Sequence, residues 1–315
     1  MDRKFRVLYL TGGLGNQLFQ YAFALNNLED QALIIDSELG WPVNGRENLP
    51  VIFEYKLNQS VEILKHRKVS LFTRKLGFFC IKLSSSTKFE NSRLIKILLK
   101  LVSGLIFSMH YKRKLKVYIS GGVGFSKPPS SLSSHLILGY FQTYNWPDLL
   151  MIKGELANLE LVKPSEQLGK YQELAEIEKP LVVHIRLGDY VNETKFGIPT
   201  MQYYQKAIAE LFDSNKHKKI WVFTNDQPAA EKIFPKEFIN QVRWIPNVAD
   251  SAAETLEVMR LGNDYVIGNS TYSWWGAFLS KNARASVIAP LPWFKDSKEP
   301  KLLCPPNWKR IEAWP

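Results

Sequence analysis

From Pro180 onward the chain repeats one unit: a short, mostly apolar run followed by a stretch of helical character. The runs lie at 181–185, 219–223, 242–245, 264–267 and 286–289. A short continuous apolar run such as 181–185, rather than an alternating one, suits a strand covered on both faces, the condition of parallel strands in an α/β sheet. Helices are expected at 201–211, from Pro228, at 250–259 and from Ser270, the third opened by a capping box of Ser251 and Glu254. The N-terminal half opens likewise, with a strand at 5–10, a glycine turn, a helix at about 16–29 and a strand at 32–35. A strand at 136–141 and helices from Pro147 and over 165–177 follow. A chain of 315 residues is comfortable as two domains. We expect an α/β protein of two Rossmann-like halves facing a central cleft, with domains at 1–160 and 161–315.

The glycine turn reads "TGGLGNQLFQYAFAL" from Thr11 to Leu25. Gly13 and Gly15 fit the first two positions of the dinucleotide fingerprint G-x-G-x-x-G, but Leu18 stands at the third. Asp36 ends the next strand, where a ribose-binding acid would sit. An NAD(P)-dependent oxidoreductase is therefore one reading. Against it, Asn16 and Gln17 put two side-chain amides near the helix start, which suits a hydroxyl-rich ligand better than a pyrophosphate.

Three strand ends in the second half concentrate polar chemistry. The first runs into His184, Arg186, Gly188 and Asp189. Arginine is the side chain best shaped to hold a diphosphate bidentately, although an Arg186–Asp189 ion pair would explain both residues structurally. The second ends in Asn225 and Asp226, where a carboxylate could accept from a guanine edge or a ribose diol, or simply cap the helix at Pro228. The third is "GNSTYSWWGA" from Gly268 to Ala277. There Asn269, Ser270 and Thr271 open a helix whose N-terminus attracts anions, and Trp274 and Trp275 suit the core. Together these describe an anion-binding site for a nucleotide diphosphate. The chain has no P-loop and no Asp-x-Asp motif of the kind that holds a divalent metal. Charge on a departing diphosphate would then fall to Arg186 and the helix at Ser270.

The net charge is +11, with basic clusters at 65–68, 112–116 and 216–219. Solvated surface, an anionic membrane face or an anionic substrate would each account for them. Zinc-finger spacing and nucleic-acid signatures are absent, which argues against a nucleic-acid partner. The longest apolar stretch, 94–109, carries Lys96 and Lys100 and is expected to be too short and too charged to span a bilayer. With the lysines up to Lys116 it suits a helix lying in an interface. The two cysteines, Cys80 and Cys304, form neither a metal motif nor a disulfide framework. With the first strand starting near Phe5, the expectation is a cytoplasmic protein, peripheral at most to the cytoplasmic membrane.

The four stretches "GGLGNQLFQYAFAL", "VVHIRLGDYV", "VFTND" and "GNSTYSWWGAFLS" occur in this order from Gly12 to Ser280. In that order and spacing the chain resembles the α-1,2-fucosyltransferases of glycosyltransferase family 11. The resemblance implies a GT-B-like fold, GDP-β-L-fucose as donor, inversion at the anomeric carbon and no metal cofactor. It implies that Arg186 binds the β-phosphate, His184 and Asp226 the guanosine, and Ser270 and Thr271 the phosphates, with Asn225 and Asn269 in the same donor site. It moves Gly13, Gly15 and Asn16 to the acceptor side, where Asn16 would contact the fucose or the incoming hydroxyl. Asp189 is the candidate general base and Glu193 its rival. Many members carry a second arginine where this chain has Leu187, so a two-arginine clamp is in doubt. Residues 40–135 match no familiar motif and are expected to set acceptor choice. The implied acceptor is O2 of a galactose in an oligosaccharide or glycolipid. Transfer of another GDP-linked sugar, another fucosyl linkage and a non-enzymatic module for anionic glycans are the other readings.

Overall fold

The computed structural model describes residues 5–26, 32–36, 50–58, 60–64, 70–84, 93–112, 114–120, 123–128, 132, 135–188 and 196–314. The chain divides into two compact units, one of residues 1–160 with 301–303 and one of 161–300 with 304–315. Both are α/β with wholly parallel sheets among the described residues.

The first unit contains β1 (Phe5–Leu8), α1 (Leu14–Asn26), β2 (Ala32–Asp36), β3 (Val61–Leu64), α2 (Leu71–Ser84), α3 (Arg93–Tyr111), β4 (Lys116–Ile119), β5 (His135–Leu138) and α4 (Leu150–Ala157). Its sheet runs β3-β2-β1-β5-β4. The order reverses between β1 and β5, so the glycine turn after β1 leaves from a switch point, the place where open α/β sheets bind ligands. The core joins Val7, Leu136, Leu138, Val117, Phe107 and Tyr111. The short excursion at 301–303 is stitched to this unit by Phe125 N–H donating to the Lys301 carbonyl (2.9 Å) and Thr143 Oγ1 donating to the Leu302 carbonyl (2.6 Å).

The second unit contains α5 (Glu166–Glu178), β6 (Leu181–Ile185), α6 (Met201–Leu211), β7 (Ile220–Thr224), α7 (Gln227–Ile233), β8 (Val242–Ile245), α8 (Ala252–Met259), β9 (Asp264–Val266), α9 (Thr271–Phe278), β10 (Val287–Leu291) and β11 (Lys309–Glu312). Its sheet runs β11-β10-β9-β6-β7-β8, with the switch point between β6 and β9. The five mostly apolar runs correspond to five of these six strands, and every residue of β6 is buried. Trp221, Trp274 and Trp275 lie fully in the core, as their sequence setting implies.

Some expectations need correction. The capping box at α8 is only half formed. Ser251 Oγ accepts from the Glu254 amide (3.0 Å), but the Glu254 carboxylate turns to Ser165 at the start of α5, accepting from its amide at 3.0 Å and from its hydroxyl. A buried carboxylate takes the strongest donors in reach, and these lie on the neighbouring helix. The apolar run at 94–109 extends as α3 to Tyr111 and does meet the length and composition of a membrane span. Both cysteines are free, and burial pushes Cys80 up to about 11 and Cys304 up to about 12, so neither is a reactive thiolate at neutral pH.

Candidate functional site

The β6–β9 switch point brings two of the sequence motifs together. The Gly268 amide, just past β9, donates to the His184 carbonyl near the end of β6 (3.1 Å). Tyr204 Oη on α6 donates to the same carbonyl (3.3 Å). Arg186 follows directly beyond β6, half-buried, and Ser270 lies two residues beyond Gly268. Ser270 caps α9, its side chain accepting from the Tyr272 amide (3.3 Å). The arginine and the positive end of α9 are thus fixed through one carbonyl, two residues from each.

Gly268 leaves little room for a side chain. A Cβ at this position would come within 3.1 Å of Tyr204 Oη and 3.2 Å of the His184 carbonyl, so these neighbours would have to shift by a few tenths of an ångström. We expect Gly268→Ala to destabilise the protein by about 1–3 kcal/mol through overpacking, as read from denaturant midpoints.

The His184 ring is buried in front of the first turn of α9, its centroid 6.1 Å from that of Tyr272. Burial, reinforced by the charge of Arg186, pushes its pKa down to about 3. The imidazole is therefore neutral at any physiological pH. Its Nδ1 has no hydrogen-bond partner among the described residues. Buried polar atoms are almost always satisfied, so this one is open to a partner beyond the described residues.

Asn225 ties the next strand end to the first. Its Oδ1 accepts from the Leu187 amide (2.9 Å), and its Nδ2 lies 2.3 Å from where a Cβ on Gly188 would stand. Gly188 also has a positive φ of 57°, so the turn after Arg186 requires glycine twice over. Asp226 caps α7, accepting from the Ala229 amide (3.1 Å). Its carboxylate is solvent-exposed, so capping leaves it accessible to a ligand. Asn269 is buried, its Nδ2 donating to the carbonyls of Phe196 (2.9 Å) and Gly197 (3.0 Å). Its amide thus positions the segment that returns from 189–195. Thr271 is the first residue of α9 and half-buried. Asp189 and Glu193 both lie outside the described residues.

At the switch point of the first unit the amides divide their work. Gln17 is buried, its Nε2 donating to the Gly12 carbonyl (2.9 Å) and its Oε1 accepting from the Ile52 amide (3.0 Å). Gln20, which carried no sequence signal, accepts from the Thr11 amide and donates to the Gly139 carbonyl, both at 3.0 Å, lacing β1 to β5. Only Asn16 is half-exposed, its Oδ1 accepting from Gln142 Nε2 (2.7 Å). The glycine under conformational demand is Gly12, at φ 79° with a Cβ position 2.5 Å from Asn16 Nδ2. Gly13 is exposed with open space around it, whereas Gly15 is buried within α1. Leu18 is a core residue of α1. Asp36 is buried, accepting from Tyr111 Oη (3.1 Å) with His110 Nε2 at 4.0 Å. A carboxylate so enclosed cannot meet a ribose, which removes the main support for the dinucleotide reading.

The family model described as Glycosyl transferase family 11 matches residues 7–312. The chain belongs to glycosyltransferase family 11. Two relatives from Escherichia coli span nearly the whole chain. The O-antigen biosynthesis glycosyltransferase WbnK is 27% identical over 93% of this chain and 96% of its own length. An alpha-1,2-colitosyltransferase is 26% identical over 97% and 98%. Among solved structures, fucosyltransferase NodZ from Bradyrhizobium is similar at 13% identity, covering 88% of this chain and 92% of that one with a TM-score of 0.49. The family 11 chain is a glycosyltransferase, and the oxidoreductase reading falls. The two units with parallel sheets agree with the α/β class expected from the sequence.

Proposed function

We propose that this family 11 enzyme transfers L-fucose from GDP-β-L-fucose, with inversion, to O2 of a terminal galactose in an oligosaccharide or glycolipid. The observation that carries the donor half is the shared His184 carbonyl, which fixes Arg186 beside the mouth of α9 at a switch point. In this reading the Arg186 guanidinium and the N–H groups around Ser270 and Thr271 take the diphosphate, and His184 Nδ1 and the Asp226 carboxylate take the guanosine. The acceptor O2–C1 bond forms as the C1–O bond to the β-phosphate breaks. GDP leaves and the hydroxyl proton passes to Asp189, with Glu193 as the rival base. The transition state is oxocarbenium-like, and the charge building on GDP is met by Arg186 and α9 without a metal. Asn16, with Gly13 and Gly15 beside it in the turn, is assigned by the family resemblance to the acceptor side.

The relative that transfers colitose supports a second reading, in which the sugar donated differs from fucose while the linkage stays α-1,2. Incubation with GDP-fucose and a panel of galactosides, with NMR of the product linkage, tests both. We expect an α-1,2-fucosylated product in the presence of chelator, and stabilisation by GDP but not by UDP or NAD, worth about 2.7 kcal/mol at a hundred times the dissociation constant. Loss of turnover with chelator, or stabilisation by UDP, overturns the donor assignment. Asp189→Asn and Glu193→Gln in the same assay separate the two bases.

A further inference from the structure

The helix α3 is apolar on two opposite faces. One stripe, with Ser103, Phe107 and Tyr111, is buried against the first unit, and Tyr111 is anchored to Asp36. The other carries Leu94, Ile97, Leu98, Leu101, Leu105 and Met109, which stand 54–80% exposed. The adjacent helix α2 adds Phe72 and Phe79, 66% and 52% exposed. So large an exposed apolar surface marks a contact site.

The charge around it identifies the contact. Residues 65–119 hold fourteen Lys and Arg against one acid, Glu90, a net +13 where the whole chain carries +11. The remainder of the molecule is therefore slightly acidic, and the positive charge belongs to this segment. A groove of about 830 Å3 runs along α3, with Leu101, Leu105 and Met109 on its wall, Lys100, Lys112, Lys114 and Lys116 around it, and no acid among its lining residues. Apolar side chains ringed by lysines match acyl chains beneath anionic headgroups.

We propose that α2 and α3 dock this enzyme onto an anionic lipid bilayer, with α3 lying along the surface. By length and composition α3 could cross a membrane, but its C-terminal half packs Phe107 and Tyr111 into the core of its own domain, which favours a helix lying along the surface. Docking rests on this face alone and stands or falls separately from the identity of the donor.

The test is co-sedimentation of the intact protein with vesicles of phosphatidylcholine alone and with about one third phosphatidylglycerol, at low and high salt. Binding should favour the anionic vesicles by about tenfold or more and fall with salt. The paired substitution Leu101→Glu/Leu105→Glu, and separately Lys112→Glu/Lys114→Glu, should each reduce it by about tenfold or more. Donor hydrolysis in solution and thermal unfolding should be unchanged; if the glutamates disturb folding, Leu101→Gln/Leu105→Gln takes their place. Equal binding to neutral vesicles overturns the proposal, as does undiminished binding by a folded Leu101/Leu105 variant. A wild-type dimer dissolved by that variant assigns the face to a second copy, and resistance of bound protein to alkaline carbonate makes α3 a span; either result overturns the proposal too.

Discussion

Arg186→Ala is expected to lower kcat for transfer from GDP-fucose by about a hundredfold or more, the loss seen when one preorganised donor to a developing anion is removed. One further negative charge develops on the diphosphate as the glycosidic bond opens, and the proposed site offsets it with one guanidinium and one helix mouth. A tenfold change in rate is about 1.4 kcal/mol, so a hundredfold asks less than 3 kcal/mol of Arg186. That is within reach of a charge-assisted bidentate contact in a half-buried setting. The effect should fall on kcat more than on KM, because the charge is greater in the transition state than in the bound donor. Arg186→Lys should recover only part of the loss, since an ammonium supplies a point charge and not a fork. A loss below about threefold in kcat/KM would take Arg186 off the diphosphate, whatever the family resemblance implies.

Most of the parallel sheet of the second unit was legible because β6, β7, β9 and β10 are almost wholly buried and so mostly apolar in sequence. Strands β6 and β8 fall where the apolar runs predict them, and β7, β9 and β10 within a residue or two at either end. The first unit was harder to read, and so was the edge strand β11 of the second. Strands β3 and β4 are short and carry Glu62 and Lys116, and β11 carries Lys309, Arg310 and Glu312, so none presents an apolar run. Their place comes from pairing with β2, β5 and β10, a tertiary effect that no local pattern records. At the site, the motifs named the right loops but not the division of labour within them. Asn16 and Gln17 are adjacent polar amides in sequence, yet α1 turns one outward and buries the other. Asp36 looked like a ligand because it ends a strand, and Tyr111, 75 residues away, is what makes it structural. The linkage of His184 to Gly268 is equally long-range. It follows from strand order, which the sequence leaves open until β9 is known to lie beside β6.

Stability should fall as the pH drops below 6.5, and His184→Gln should remove much of that dependence. The native imidazole, held down to about 3 first by burial and then by Arg186, lies well below its ordinary value of 6.5. Above pH 6.5 the ring is neutral in both folded and unfolded chains, and pH has no leverage through it. Below 6.5 the unfolded chain binds a proton that the native protein refuses, so each further unit costs about 1.4 kcal/mol. Between pH 6.5 and 4.5 the penalty approaches about 2–3 kcal/mol, a large share of a typical domain's stability. Carboxylates act in the same direction but lower down. Burial pushes Asp264 up, yet hydrogen bonds from His217, Lys216 and the Ser286 amide outweigh it and hold its pKa below the usual range. Its contribution is lost only as the pH falls below about 4, and it is common to both proteins. The difference between wild type and His184→Gln in denaturant midpoint, followed from pH 7.5 to 4.5, therefore isolates the imidazole. Parallel curves would mean that His184 takes up its proton in the native state. The ring would then be hydrated or partnered by an anion, and a neutral, ligand-directed Nδ1 at the donor site would no longer stand.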